Sequence, residues 1–320
     1  MQKKAFITGI SGFAGSYLAK HLVTTNNYAV AGTYYAEDSL SVLSEIRDQI
    51  DCVKADLTNA AKTEEIIGDQ KPDLVFHLAA LTSPAESFKS PLTTITNNIA
   101  MGVNLLEAIK NNKLEKTRIL IVSSADVYGI VSPKDLPIDE DTPFAPTNPY
   151  AVSKITQDFL GLQYNIAHDL QIVRVRPFNH IGARQSPQFV VSSFAKQIAE
   201  IEKLHKDRVI HVGNIETKRD FTDVRDVVTA YELILNKGII GDVYNIGSGR
   251  AHKISDILHI LLSMSTVKIN VKIDDMLLRP SDTPELVCDN RKLVAQTGWK
   301  PKYRMQETLS SILDYWRNIV

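Results

Sequence analysis

Thr8-Gly9-Ile10-Ser11-Gly12-Phe13-Ala14-Gly15 stands near the start of the chain, between an apolar run at residues 5–8 and a helical pattern opening near Phe13. Three glycines, each three residues apart, suit three tasks in such a turn. One reverses the chain without a Cβ clash, one lets a pyrophosphate approach the backbone, and one lets the helix pack close to the strand. The helix N-terminus adds unpaired N–H groups that favour a phosphate. A glycine pattern alone says little. With a strand before it and a helix after it, the segment reads as a dinucleotide-binding turn whose contact residues are Gly9, Ser11, Gly12, Phe13, Ala14 and Gly15.

Outward from this turn, β-prone runs at residues 28–34, 52–55, 74–78, 118–122 and 171–175 alternate with helical stretches, the longest at 91–110 and 150–168. That alternation predicts an α/β fold, a Rossmann doubly wound parallel sheet with right-handed crossovers. After Pro177 the character changes: glycine, proline and polar residues crowd 179–188 and the elements shorten. Met305, Leu309, Ile312, Leu313 and Trp316 fall at helical spacing and predict a closing amphipathic helix. A smaller C-terminal α/β substrate lobe is therefore expected. Residues 1–176, with 220–246 returning, form the NAD(P)-binding domain; 177–219 and 247–320 form the lobe. Five prolines within 133–149 predict an irregular loop over the sheet edge.

Composition bounds the function. The 320 residues are 44% hydrophobic and 23% charged, with a formal net charge of -1. Such a chain buries a full core and has no general grip on nucleic acid or an anionic membrane surface. Its two cysteines, Cys52 and Cys288, lie far apart and read as reduced thiols. His77, His180 and His211 share no ligand spacing with a carboxylate cluster, so no metal is expected. Neither a signal peptide nor a membrane span is legible, which makes the cytoplasm the default.

Tyr150-Ala151-Val152-Ser153-Lys154 opens the second long helix, straight after Pro149. Residues four apart share a helical face, so phenol and ammonium point into one site. A neighbouring cation favours a phenolate; Lys154 is expected to lower the Tyr150 pKa and tune it as general acid/base for a carbonyl or alcohol. Ser124 follows the run at 118–122, at the carboxyl end where ligands gather in such sheets, and its hydroxyl suits a substrate oxygen.

The second strand ends Gly32-Thr33-Tyr34-Tyr35, with Glu37 and Asp38 later. Neither an acid for an NAD ribose nor an arginine for a 2′-phosphate stands at its tip. The cofactor is NADPH or NADH, with the preference open. Asp56, followed by Leu57, is placed equally well to meet the adenine or to cap a turn.

Together these segments resemble the extended short-chain dehydrogenase/reductase family over nearly the whole chain. Residues 8–15 match its TGxxGxxG loop, and His77-Leu78-Ala79-Ala80 the segment beneath the cofactor. Ser123-Ser124-Ala125-Asp126-Val127-Tyr128-Gly129 matches the serine loop, and Tyr150 with Lys154 the YxxxK pair. Asn98 matches a structural asparagine, while Met101-Gly102 departs from the usual Gly-Thr. The resemblance implies catalysis by Ser124, Tyr150 and Lys154. It implies further cofactor contacts from Asp56, Leu57, Leu78, Ala79, Ala80 and Pro177.

The C-terminal half resembles the branch of this family that acts on GDP-sugars. Its segments are Arg176-Pro177-Phe178-Asn179-His180-Ile181-Gly182, Gln188-Phe189-Val190, Phe194-Ala195-Lys196-Gln197-Ile198, Lys218-Arg219-Asp220-Phe221-Thr222-Asp223-Val224-Arg225-Asp226 and Leu278-Arg279-Pro280-Ser281-Asp282. The branch implies a GDP-sugar substrate bound by Asn179, Phe189, Val190, Lys196, Val212, Arg219, Arg279 and Asp282. Arg219 and Arg279 are fixed-charge forks suited to phosphate oxygens. Asp223 and Asp226 read instead as caps of a helix starting near Val224.

Asp126 divides the branch. Dehydratases of GDP-mannose usually carry Glu there as the base for the C5 proton, and Asp is one methylene shorter. The resemblance therefore implies a reductase, with Tyr150, Ser124, Lys154 and Asp126 about the C4 carbonyl of GDP-4-keto-6-deoxy-D-mannose and GDP-D-rhamnose as product. A 4,6-dehydratase, or a reductase or epimerase of another nucleotide sugar, stands as the alternative. The C4 configuration stays open between rhamnose and 6-deoxytalose. A homodimer through helices 91–110 and 150–168 is also implied. On those helices Leu105, Ile109, Phe159 and Leu162 suit an interface or the core equally.

Overall fold

The computed structural model describes residues 2–25, 27–204, 207–277 and 283–320. The chain opens with β1 (Lys3–Thr8), α1 (Phe13–Thr24), β2 (Tyr28–Tyr34), a run of 3₁₀ turns (Glu37–Gln49) and β3 (Ile50–Lys54). It continues through α2 (Ala60–Gln70), β4 (Leu74–His77), α3 (Pro84–Lys89), α4 (Pro91–Asn111), β5 (Arg118–Val122), α5 (Pro149–His168) and β6 (Gln171–Pro177). It then leaves for β7 (Asn179–Ile181), α6 (Val190–Leu204), β8 (Val209–Val212) and β9 (Lys218–Asp223), and returns through α7 (Val224–Lys237) and β10 (Val243–Ile246). The last elements are β11 (Ala251–Lys253), α8 (Ile254–Ser263), β12 (Asn270–Ile273), β13 (Glu285–Leu286), α9 (Arg291–Thr297) and α10 (Met305–Ile319).

Seven strands form one sheet in the order β10-β6-β5-β4-β1-β2-β3, every pairing parallel. This is the doubly wound α/β sheet expected from the alternating pattern. Consecutive side chains of a strand face opposite layers. Thus Ile7 and Phe76 pack with Leu18 and Leu22 of α1 and Ile234 of α7, while Phe6 and Val75 pack with Leu105 and Ile109 of α4. Both faces are covered, so β4 is buried along its length, as parallel strands require. Leu105 and Ile109 are therefore core, whereas Phe159 is exposed and Leu162 half-buried.

A separate core joins α6, α8 and α10 through Phe194, Ile198, Leu258, Leu309, Leu313 and Trp316. The closing amphipathic helix is thus present and buries its apolar stripe. One boundary differs from the sequence reading. Leu293 of α9 and Trp299 pack in the first core, not the second. Asp226 ties the segment after α9 to α7. Its carboxylate accepts from the N–H groups of Lys302 and Tyr303 (3.0 Å), and Trp299 Nε1 donates to its carbonyl (2.9 Å). Asp223 does cap α7, accepting from Arg225 N, but Asp226 is an anchor for the C-terminal segment. The proline-rich loop lies along β10, where Glu140 Oε1 accepts the N–H of Asn245 (2.7 Å). Among the described residues, no helix is long and apolar enough to cross a membrane.

Candidate active site

The glycine turn sits at the carboxyl tip of β1. Gly9 has φ +71°, a conformation glycine adopts without strain, and a Cβ there would meet Ala79 Cα at 3.1 Å. A Cβ on Gly15 would lie 2.2 Å from the Gly9 carbonyl oxygen, so α1 approaches the turn as closely as bare backbone permits. No side chain caps α1 at Gly12, which leaves its first-turn N–H groups to an anion. These residues fit a dinucleotide pyrophosphate. Thr8 Oγ1 accepts from Leu78 N and Ala79 N (3.1 Å each) and meets His77 Nδ1 (2.9 Å), which brings the 78–80 segment beside the turn. Ser11 Oγ accepts from Ser39 Oγ (2.7 Å), and Phe13 stacks on His180, their ring planes 3° apart. Asp56 Oδ1 accepts from Thr58 N and Oγ1, so Asp56 builds a turn, and Leu57 beside it is buried.

Ser124 stands two residues past β5 and caps a 3₁₀ turn, its Oγ accepting from Asp126 N (3.1 Å). Tyr150 stands one residue after Pro149, at the start of α5, where Asn148 Oδ1 caps Ala151 N (2.8 Å). Asn-Pro before the helix fixes where it begins, and hence where the phenol stands. The Tyr150 phenol is raised well above its ordinary value: burial comes first, the Asp126 carboxylate second, and a hydrogen bond with Ser124 opposes both. This corrects the expectation that Lys154 lowers it. Lys154 Nζ donates instead to the Val122 carbonyl and to Gln157 Oε1 (2.8 Å each), turned beneath the site. Burial lowers Lys154 to about 7.

The sequence named Asn98 and His77 but not Gln157, which joins both to the lysine. Gln157 Nε2 donates to the Asn98 carbonyl (2.7 Å) and lies 3.3 Å from His77 Nε2. Asn98 in turn binds Ser153 Oγ and both backbone groups of Leu81. Burial, with Lys154 adding to it, pushes His77 down to about 3, so it stays neutral. The available signal was the spacing of Gln157, one turn beyond Lys154 on the same helical face. A second missed group is the buried Arg176–Tyr128–Asn245 chain (2.9 and 2.7 Å), which ties the serine loop to β10.

The lysine carries a pH signature. Between about 7 and the ordinary 10.5, the unfolded chain binds a proton that folded Lys154 has released. This group's contribution to stability therefore rises with pH across that window. Wild type is expected to gain in urea midpoint from about pH 7 to about pH 9.5 relative to Lys154→Met. Parallel profiles for the two proteins would refute the low Lys154 value.

The residues expected on the substrate side are spread over several elements. Asn179 is exposed just after Pro177, which is buried at the tip of β6, and Phe189 and Val190 are half-buried at the start of α6. Lys196 lies within 3.8 Å of Glu200 and over the Trp316 ring (5.5 Å). Arg219 Nη1 donates to the Lys218 and Thr283 carbonyls (2.8 and 2.7 Å). Val212 is fully buried in the second core, because its strand position faces α6, so its side chain offers nothing to a ligand. Arg279 and Asp282 lie outside the described residues.

Comparison with known proteins adds to this geometry. The family model described as GDP-mannose 4,6 dehydratase matches residues 6–312. A GDP-6-deoxy-D-mannose reductase of Pseudomonas aeruginosa is 35% identical over 100% of this chain and 99% of its own. A GDP-6-deoxy-D-talose 4-dehydrogenase of Aggregatibacter actinomycetemcomitans is 28% identical over 98% of this chain and 97% of its own. Among solved structures, RMD from Pseudomonas aeruginosa complexed with NADPH superposes with a TM-score of 0.85 at 32% identity, covering 100% of both chains.

Proposed function

Because the chain belongs to the GDP-mannose 4,6-dehydratase family of extended short-chain dehydrogenase/reductases, we propose that it reduces the C4 carbonyl of GDP-4-keto-6-deoxy-D-mannose with NAD(P)H to give GDP-D-rhamnose. The observation that carries this reading is the pairing of Tyr150 with Ser124 at the carboxyl tip of β5, on the same sheet edge as the glycine turn. The nicotinamide, when bound, supplies the hydride. Burial keeps the Tyr150 phenol protonated at neutral pH, the state a proton donor to a forming alkoxide requires. Ser124 Oγ orients the carbonyl oxygen and shares its developing charge. Lys154, with a value near neutrality, stores and returns a proton at Nζ, and Gln157 holds it in place.

One observation favours a second reading. The Asp126 carboxylate lies close enough to raise the Tyr150 phenol, so a base stands beside the acid, as a 4,6-dehydratase needs. Incubation with GDP-mannose, a separate dehydratase and NAD(P)H decides between them. Cofactor oxidation that depends on the added dehydratase is expected. Consumption of GDP-mannose by this protein alone would replace the reductase by the dehydratase.

A homodimer through α4 and α5 accords with their exposed Leu92, Phe159 and Ile166; a light-scattering mass of one chain would refute it. A cytoplasmic setting accords with two unpaired thiols, Cys52 and Cys288.

A further inference from the structure

Thr283, just ahead of β13, is buried and spends both of its oxygens on segments far from it in sequence. Its carbonyl accepts from Arg219 Nη1 (2.7 Å), and its hydroxyl donates to the Gly129 carbonyl (3.0 Å). Arg219 stands on β9, and Gly129 closes the serine loop at residues 123–129. The arginine end of this link is held by backbone. Leu286 is the register partner of Arg219 in the parallel β9–β13 pair, and Lys218 N donates to the Pro284 carbonyl (2.9 Å). Thr283 therefore moves with the strand that carries the arginine. A guanidinium holds five N–H donors in a rigid fork, so one such group serves a carbonyl and a phosphate together.

The Gly129 end leads to Ser124. Gly129 has φ +54°, and a Cβ there would lie 1.7 Å from the Ala145 carbonyl oxygen, so its peptide is closely confined. The Gly129 N–H donates to the Asp126 carbonyl (3.1 Å), and Asp126 N in turn meets Ser124 Oγ (3.1 Å). Val127 N donates to the Ser124 carbonyl (3.3 Å). Two side-chain contacts then fix this turn from outside. Arg176 and Asn245 hold the Tyr128 hydroxyl, and Thr283 holds the Gly129 carbonyl. Gly129 is buried, and removing the donor to a buried carbonyl costs about tenfold in the equilibrium that keeps it in place.

We propose that Thr283 is a positioning residue, which couples a diphosphate held at Arg219 to the placement of the Ser124 hydroxyl. The inference rests on the nucleotide-sugar reading given above, with the substrate's diphosphate at Arg219. A bound diphosphate fixes the arginine, the arginine fixes the Thr283 carbonyl, and the threonine hydroxyl fixes the serine turn. Part of that remote binding energy then holds Ser124 against the charge developing on the carbonyl oxygen, which raises turnover rather than affinity. Valine keeps the branched shape of threonine but lacks the O–H donor, so Thr283→Val cuts the link.

Two measurements on the whole protein test this coupling. In hydrogen exchange, saturating GDP is expected to slow the amides of residues 124–130 in wild type and Thr283→Ser, but not in Thr283→Val. Calorimetric titration should give all three proteins the same affinity for GDP. With GDP-4-keto-6-deoxy-D-mannose prepared by a separate dehydratase, Thr283→Val should lose about tenfold in kcat at unchanged KM, and serine should restore it. Equal slowing of 124–130 by GDP in wild type and Thr283→Val would overturn the proposal while leaving the reductase reading intact. So would an unchanged kcat, or a serine variant as slow as the valine one. A wild type that shows the GDP effect but never oxidises NAD(P)H would keep the link and overturn the reductase. Failure of wild type to bind GDP would overturn both.

Discussion

Tyr150→Phe is expected to slow reduction about 10³-fold while nucleotide affinity stays at the wild-type value. Burial sets the protonation state on which this rests. The phenol is enclosed, pushed up by desolvation and by Asp126, and therefore protonated throughout the neutral range. A carbonyl receiving hydride becomes an alkoxide, and the barrier depends on a donor positioned before the charge appears. Phenylalanine keeps the ring and its packing at the head of α5 but removes the proton. Ser124 remains and stabilises the oxygen without supplying an acid of suitable strength. Titration with 5′-AMP separates binding from turnover. A variant that turns over within tenfold of wild type would remove Tyr150 from the chemistry.

Asp158→Ala is expected to cost about 3–5 kcal/mol of stability, a large loss for one side chain remote from the surface. Asp158 is fully buried between α5 and the sheet. Its Oδ1 meets Arg174 Nη1 at 2.6 Å and its Oδ2 meets Arg176 Nε at 2.8 Å. Both arginines are themselves buried, so alanine leaves two guanidinium groups without an anion in a poorly solvated layer. Carbonyls of Gly241 and Glu140 retain one bond to each but carry no charge. Differential scanning calorimetry should show a fall in Tm of roughly 10 °C. Activity should fall with it, because Arg176 also holds the Tyr128 hydroxyl in the serine loop. A Tm within about 2 °C of wild type would show that water reaches these arginines and relieves them.

Much of the site is legible in the amino-acid order because its signals are local. The glycine turn needs only its own backbone conformation and a close helix, and Gly9 and Gly15 both meet that need. Ser124 is placed by the end of one strand, and Tyr150 by an Asn-Pro helix start. The four-residue spacing of Tyr150 and Lys154 is intrinsic to a helix. Short apolar runs are enough to name the strands β1 to β6, and their alternation with helices is enough to name the sheet.

The rest depended on which groups meet across the sheet. Spacing put the Lys154 ammonium near the phenol; packing turned it onto the Val122 carbonyl and Gln157. The direction of the Tyr150 shift reversed for the same reason, since burial and Asp126 act on it where the ammonium does not. Val212 fell into one core and Trp299 crossed into the other, each through contacts distant in sequence. Lys54, the register partner of Tyr34, meets Glu37 from the turn beyond β2. By itself, then, the sequence determined the fold class, the turn and the placement of Ser124, Tyr150 and Lys154, because each is written in spacings of a few residues. Tertiary structure alone decided the charge states and the buried supports, because desolvation and Coulomb terms depend on neighbours that the linear order does not bring together.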